Sequence, residues 1–543
     1  MRALALIAAI AAAQTLTQKI DVAVVNVDVV VTAKDGTPVR GLTRDDFQVF
    51  EGGVMQPITN FYAVESGAPA SSPAGPAAPA LSAAEGSSPP PPPPDERFRR
   101  EVLVLIDNNH VSKYRRDAAL ERLETFISDR FRGGDYDWSI AAVGPRLGMI
   151  MPLTSDKQRI HDTLAAIRAG GARADRDTAI ADLRPTDIQA ANLAAMNHDR
   201  GPATDFGHAA DDRERSIRAK FATEALVEAA RAFGATGGKK IILLFTDNSD
   251  LNDLELSYAT HAAVVQRDLL SPRMPQDLPG TARDINQLRD RVIAEANASN
   301  VSLYIIDPEG LRAPGDIASS NPSGTQGMTR HNAVVWMADQ TGGRLLAGND
   351  VGASIAQFDT SSSNFYSLGF RPAHDDGKYH KLVVKLRGHG DYKVQHRAGY
   401  SNIPPDLQLE RTLKSPITIS TDNATLPVTL MTEAAQPQKR GEVLVPFQAK
   451  IAVSKLQFLP DGEKWSARID IYVSVFDENG KNITLNRVTT SATADSANPN
   501  PNGTFTYRNG ILIRRGQQHR LVVAFRDQST DAVGMAESMV GPE

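Results

Sequence analysis

Two acidic residues stand at the ends of short, fully apolar stretches: Asp107 follows Val102–Ile106, and Asp247 follows Ile241–Phe245 after a single threonine, Thr246. A carboxylate at a strand end caps the next helix, sits solvated at the mouth of the sheet, or lines the crevice where open α/β sheets bind ligands. The residues alone leave these readings open, and in the last of them Asp107, Asn109, His110 and Asp247 share one crevice. Other constellations are weaker. Asp247, Asp250 and Asp253 repeat at three-residue spacing, but the glycine and terminal glutamate of a calcium loop are missing, so a solvated turn fits better. Asp205, Asp211 and Asp212 sit among arginines and read as a salt-laced surface. The histidines show no His-Glu-x-x-His spacing, and His374, His380, His389 and His396 are scattered over strand and turn positions, where solvated side chains outnumber zinc ligands. There is no Gly-x-Ser-x-Gly elbow, phosphate loop or dinucleotide fingerprint, and without cysteine there is no thiol chemistry. No nucleophile–base pair is legible, which points to binding rather than catalysis, with a hydrolase using the crevice acids as the alternative.

The elements that would position these residues alternate between short apolar strands and amphipathic helices, the texture of a mainly parallel, doubly wound sheet. Val102–Ile106 predicts a central strand, and Leu120, Leu123, Ile127 and Phe131 mark the helix after it. Trp138–Val143 and Gly148–Met151 predict two strands, Lys157–Ile167 a helix, and Phe221–Phe233 a further helix leading to the strand Ile241–Phe245. Between these helices lies an Arg/Asp-rich insertion, about 169–216. Val301–Ile306 is the next strand, and Ala333–Gln340 a helix closed by Gly342-Gly343, where glycine supplies a left-handed cap.

On either side the texture is β. Val25, Val27, Val29 and Val31 share one face of a strand with Asn26, Asp28 and Thr32 on the other, and the segments around Phe47–Phe50 and Ile58–Phe61 are short and β-prone, so residues 15–65 read as a small β module that leans on a neighbour. Residues 66–96 are almost wholly Ala, Ser, Gly and Pro, with the proline run Pro89–Pro94 near the end, and read as a stiff linker or, alternatively, a docking motif. The α/β segment is assigned to 97–372, a β extension packing on the N-terminal module or the α/β domain to 373–403, and a β-sandwich, β throughout, to 404–543.

A chain of 543 residues exceeds one hydrophobic core, in keeping with this division. The net charge of -5, with no basic block, gives no electrostatic footprint for nucleic acid or anionic lipid. Met1, Arg2 and the apolar run Ala3–Ala13 have the pattern of a secretory signal over 1–13, with cleavage expected near Ala13–Gln14, and no later stretch is a spanning candidate. The expected destination is the periplasm, the cell surface or the medium.

Several stretches resemble the von Willebrand factor type A domain, and more closely the VWFA-related family common in acidobacteria. They are Asp107-Asn108-Asn109-His110-Val111-Ser112 with its Arg-rich helix, Gly134-Asp135, Pro152–Asp156, Thr341–Arg344, and Tyr366–Pro372 running on to Arg397–Tyr400. Leu42–Phe47 in the opening module belongs to the same pattern, so the resemblance covers roughly 20–400. It implies a Rossmann-like α/β domain flanked by β modules, export, and a role in binding an unknown protein ligand as an adhesion-type scaffold or a structural envelope component.

The resemblance also implies a place for magnesium or manganese. In metal-binding members an Asp-x-Ser-x-Ser loop, a threonine and a later aspartate surround the ion, and a partner carboxylate completes it. Here Asp107 and Asp247 match the acids, Asn109 replaces the first serine and Val111 the second, so the site is degenerate. Valine cannot ligate, and Ser112 is one place out of register. The threonine is not assignable among Thr178, Thr186 and Thr246.

Overall fold

The computed structural model describes residues 24–65, 68–69, 99–130, 136–144, 146–170, 206–235, 238–246, 279–308, 332–346, 350–373, 376–419, 426–497, 500 and 502–541. The expected signal, the proline run and most of the Arg/Asp-rich insertion lie outside them. Four strands open the described chain: β1 (Val25–Thr32), β2 (Phe47–Glu51), β3 (Val54–Gln56) and β4 (Ile58–Glu65). The alternating valines of β1 face inward, as period-two spacing requires. Yet β1 and β4 do not pair with each other, and the strand that joins them comes much later in the chain.

The α/β unit follows. β5 (Arg100–Asp107) is buried along its whole length, as a central strand covered on both faces must be. After it come α1 (Lys113–Arg130), β6 (Tyr136–Val143), β7 (Leu147–Thr154) and α2 (Lys157–Arg168), whose first turn is capped by the Asp156 carboxylate. Next are α3 (Phe206–Ala232), β8 (Lys239–Phe245), α4 (Pro279–Ala298), β9 (Val301–Ile306), α5 (Asn332–Gln340), the short β10 (Leu345–Leu346) and α6 (Val351–Ser363). The sheet runs β10-β9-β8-β5-β6-β7, parallel except for the antiparallel edge β7. Helices α1, α2 and α6 cover one face, and α3, α4 and α5 the other. This is a doubly wound, mainly parallel α/β domain. Gly342, at φ +77°, ends α5 as the sequence predicts, and Gly343 lies so close to the Leu303 carbonyl that no Cβ fits there.

α6 leads directly into β11 (Phe365–Phe370), which sequence reading kept with the α/β segment. Instead β11 pairs antiparallel with β1 on one side and β4 on the other. With β12 (Tyr379–Leu386), β13 (Lys393–Gln395) and β14 (Gly399–Ser401) it completes two sheets, β13-β1-β11-β4 extended by Ala68–Pro69, and β14-β12-β2-β3. The reason is apolar surface: β1 to β4 cannot cover their own inner face, and Leu368, Phe370, Leu382 and Val384 supply the missing half of the core around Val27, Val29 and Val49. The α/β unit is thus inserted into a β-sandwich. Their junction, at the N-terminal ends of the parallel strands, is buried and polar. Lys239 Nζ lies 3.5 Å from Asp28 Oδ2 and 3.4 Å from the centre of the Phe365 ring. Arg397 donates to the Asn297 carbonyl at 3.0 Å and to the Asn26 carbonyl at 2.7 Å, so these charges are compensated on leaving water.

Past residue 404 the expectation of β structure throughout is corrected: α7 (Pro405–Thr412) is a helix, begun by Pro404 with Pro405 in its first turn. Leu409, with Leu413 four residues on, packs on Tyr472, Phe476 and Val522, while Thr412 Oγ1 donates to the Arg231 carbonyl at 2.9 Å and Arg411 pairs with Glu295. This helix therefore joins the α/β unit to the last module. That module comprises β15 (Val428–Thr432), β16 (Glu442–Ala452), β17 (Lys464–Phe476), β18 (Asn482–Ala494), β19 (Thr504–Arg514), β20 (His519–Asp527) and β21 (Val533–Val540). Two antiparallel sheets face each other across Phe447, Ile451, Ile469, Ile471, Val473 and Phe525. Among the described residues no helix is long and apolar enough to cross a membrane.

Candidate functional site

In chain order the strands of the α/β sheet, read as β7-β6-β5-β8-β9-β10, run third, second, first, fourth, fifth, sixth. The winding direction reverses between β5 and β8, and the crevice at the carboxyl ends of these two strands is where sheets of this topology bind ligands.

Asp107 closes β5 with 2% of its surface exposed. A buried carboxylate must be compensated, and three donors do so. The Asn109 N–H reaches Oδ1 at 3.1 Å, while Thr246 Oγ1 at 2.8 Å and His110 Nδ1 at 2.7 Å converge on Oδ2. Thr246 is held at this point because its own N–H donates to the Ile306 carbonyl at 3.2 Å, carrying the β8–β9 ladder one residue past β8.

The loop between Asp107 and α1 is tied at several points. The His110 and Val111 N–H groups donate to the Asp107 carbonyl at 3.3 and 3.0 Å, and the Asn108 N–H donates to Val143 at 3.1 Å. Asn109 Nδ2 donates to the Gly144 carbonyl at 3.1 Å, and buried Arg116 donates to Asn108 Oδ1 at 3.2 Å. Val111 turns inward, only 7% exposed. Two residues after exposed Ser112, Tyr114 in the first turn of α1 is 84% exposed.

Of the residues singled out from sequence, Asp107, Asn109, His110 and Thr246 are brought together. Asp247 lies outside the described residues, as do Thr178, Thr186, Asp205, Asp250, Asp253 and His374; Asp211 and Asp212 fall within α3, with side chains outside the described set. Sequence reasoning missed the Gly144 carbonyl, which carries no side-chain signal, and Arg116, whose only signal was its place in an Arg-rich first turn.

Among the described residues Asp107 is the one acid of the expected metal site. A magnesium ion takes about six oxygen ligands in near-octahedral array, and here a single carboxylate already accepts three hydrogen bonds beside an inward valine. Among the described residues no group of three or more His, Asp or Glu could hold a metal.

Three more of the histidines singled out from sequence are tied locally. His380 Nε2 meets Asp376 Oδ1 at 2.8 Å, and His389 stacks on Tyr392. His396 is not solvated as the sequence suggested: its Nδ1 donates to the Arg397 carbonyl at 2.7 Å, its Nε2 accepts the Val384 N–H at 3.0 Å, and burial lowers its pKa.

No family model matches the chain, and no curated protein matches it. Among solved structures it is similar to the conserved hypothetical protein BatB from Bacteroides thetaiotaomicron, with 12% identity over 48% of this chain and 98% of that one, at a TM-score of 0.23. It is also similar to an aerotolerance-related membrane protein from Bacteroides fragilis, with 14% identity over 48% of this chain and 97% of that one, at a TM-score of 0.22. A calcium-binding mutant of Bacteroides uniformis beta-glucuronidase 2 matches at 9% identity over 21% of this chain, at a TM-score of 0.15, and the chain spans 13% of its length. At these scores the fold rests on the chain's own strand order.

Proposed function

We propose that the chain is an exported, non-enzymatic binding protein of the von Willebrand factor type A-like kind, which receives a protein ligand at the crevice between the ends of β5 and β8. The observation that carries this reading is the fixed loop from Asp107 to Ser112 at the point where the sheet reverses. A loop already held in place loses little freedom on binding. Tyr114 beside it, large and 84% exposed, is the residue type that anchors protein interfaces. The two β modules are tied to the α/β unit through buried contacts and serve as its frame.

Chemistry within the crevice supports binding over hydrolysis. The Thr246 hydroxyl donates its proton to a carboxylate that two further donors also occupy, so Asp107 is poorly placed to activate a nucleophile.

The test is capture from an envelope extract of the producing cell on immobilised protein lacking residues 1–13, beside Asn109→Ala and Tyr114→Ala. A discrete protein held by the parent and released at least about tenfold faster from each variant, a loss of ~1.4 kcal/mol, would support the crevice. Equal retention by all three would remove it as the binding site.

A further inference from the structure

We propose that His110 takes the place at Asp107 that a metal ion would occupy, so that the crevice is closed to divalent cations and works without one. The geometry is specific. His110 lies three residues beyond the acid on the same loop, and its Nδ1 reaches Asp107 Oδ2 at 2.7 Å, where the Thr246 hydroxyl also arrives at 2.8 Å. Both side chains of the histidine–aspartate pair are about 2% exposed, so the contact is internal. The other carboxylate oxygen faces the Asn109 N–H, and the Asn109 amide nitrogen is committed to Gly144.

A cation entering here would have to displace the imidazole and turn the threonine proton away, leaving the Nδ1–H without its acceptor in a buried setting, which is unfavourable. It would also meet Val111, which has no lone pair to offer. The imidazole does for the carboxylate what a bound ion does elsewhere: it supplies positive potential at the strand end and fixes the loop. A partner docking at this crevice therefore need not bring the carboxylate that a metal-bridged contact demands.

This inference stands on the loop geometry and holds whether or not the partner is found. Manganese binding is followed by water-proton relaxation on the full chain, its His110→Ala variant and an Asp107→Asn control, with the histidine ring nitrogens of the parent followed by NMR. The parent is expected to show no saturable manganese binding and an Nδ1-protonated His110 ring unchanged by millimolar magnesium. His110→Ala is expected to bind manganese at least about tenfold more tightly, the order of effect of groups that control a metal ligand. Saturable binding by the parent that is lost in Asp107→Asn would overturn the proposal. So would a ring that responds to magnesium, or a folded His110→Ala variant that binds no better than the parent. The ring measurement needs no variant and decides the matter if His110→Ala does not fold.

Discussion

Thr246 Oγ1 donates to Asp107 Oδ2 at 2.8 Å although 139 residues separate the two in the chain. The contact exists because the first and fourth strands of the α/β unit are neighbours at the sheet's reversal point, and it stitches the two walls of the crevice together.

Thr246→Val keeps the shape of the side chain and removes the donor, leaving a buried carboxylate oxygen one hydrogen bond short. We expect a loss of about 1–3 kcal/mol, read from the urea midpoint, and near-parental stability in Thr246→Ser. Equal loss in both variants would assign the effect to packing.

Lys240 is buried, and burial pushes its pKa down from 10.5 to about 8 even though Glu101 draws it upward. Between those values the unfolded chain holds a proton that the folded chain has released, so unfolding free energy rises with pH across this window and is flat with respect to this group on either side. The gain is on the order of 3 kcal/mol. Lys239 shifts in the same direction, chiefly through burial. Denaturant titrations at pH 8 and above should show the rise, smaller in Lys240→Met; a rise of equal size in the variant would locate its source elsewhere.

Gly343→Ala would place a methyl group on the Leu303 carbonyl, which is backbone of a central strand and cannot move aside cheaply. A loss of about 3 kcal/mol or more is expected by thermal melting. Gly388→Ala tests left-handed strain alone, since nothing lies within 4 Å of its added carbon at φ +72°.

A chain ending at Asn364 lacks β11, the partner of both β1 and β4. Residues 24–65 should then give random-coil amide shifts while the α/β unit keeps dispersed ones. Dispersed signals from both would show that the N-terminal strands close a core without their distant half.

Much of the α/β unit was legible because its strands are continuous apolar runs: Val102–Ile106, Ile241–Phe245 and Val301–Ile306 all lie within central strands. The alternation in β1 also announced a half-buried strand. What alternation cannot announce is a partner, since the valines of β1 would satisfy any apolar face in register, and nothing local in Phe365–Phe370 says that it joins β1 rather than the parallel sheet. At the site, Asp107 was conspicuous at the end of its strand. The His110 fold-back was not, because it depends on the turn formed when two N–H groups close on the Asp107 carbonyl. Helix α7 was missed because Leu409 is its one buried apolar residue, with Leu413 just past its end, too little to mark a stripe within a proline-rich approach.

The split sandwich imposes an order of events on the newborn protein. Arg397 and Asn26 meet across 371 residues of chain, and β1 is made long before its partner strand β11. Loop closure over that span is entropically unfavourable for a free chain, whereas a folded α/β unit brings Arg100 and Ser363 into direct hydrogen-bonding contact and holds the two halves within reach. Strand β1 is thus made well before it can be completed, and until then its valine-rich face needs protection from aggregation.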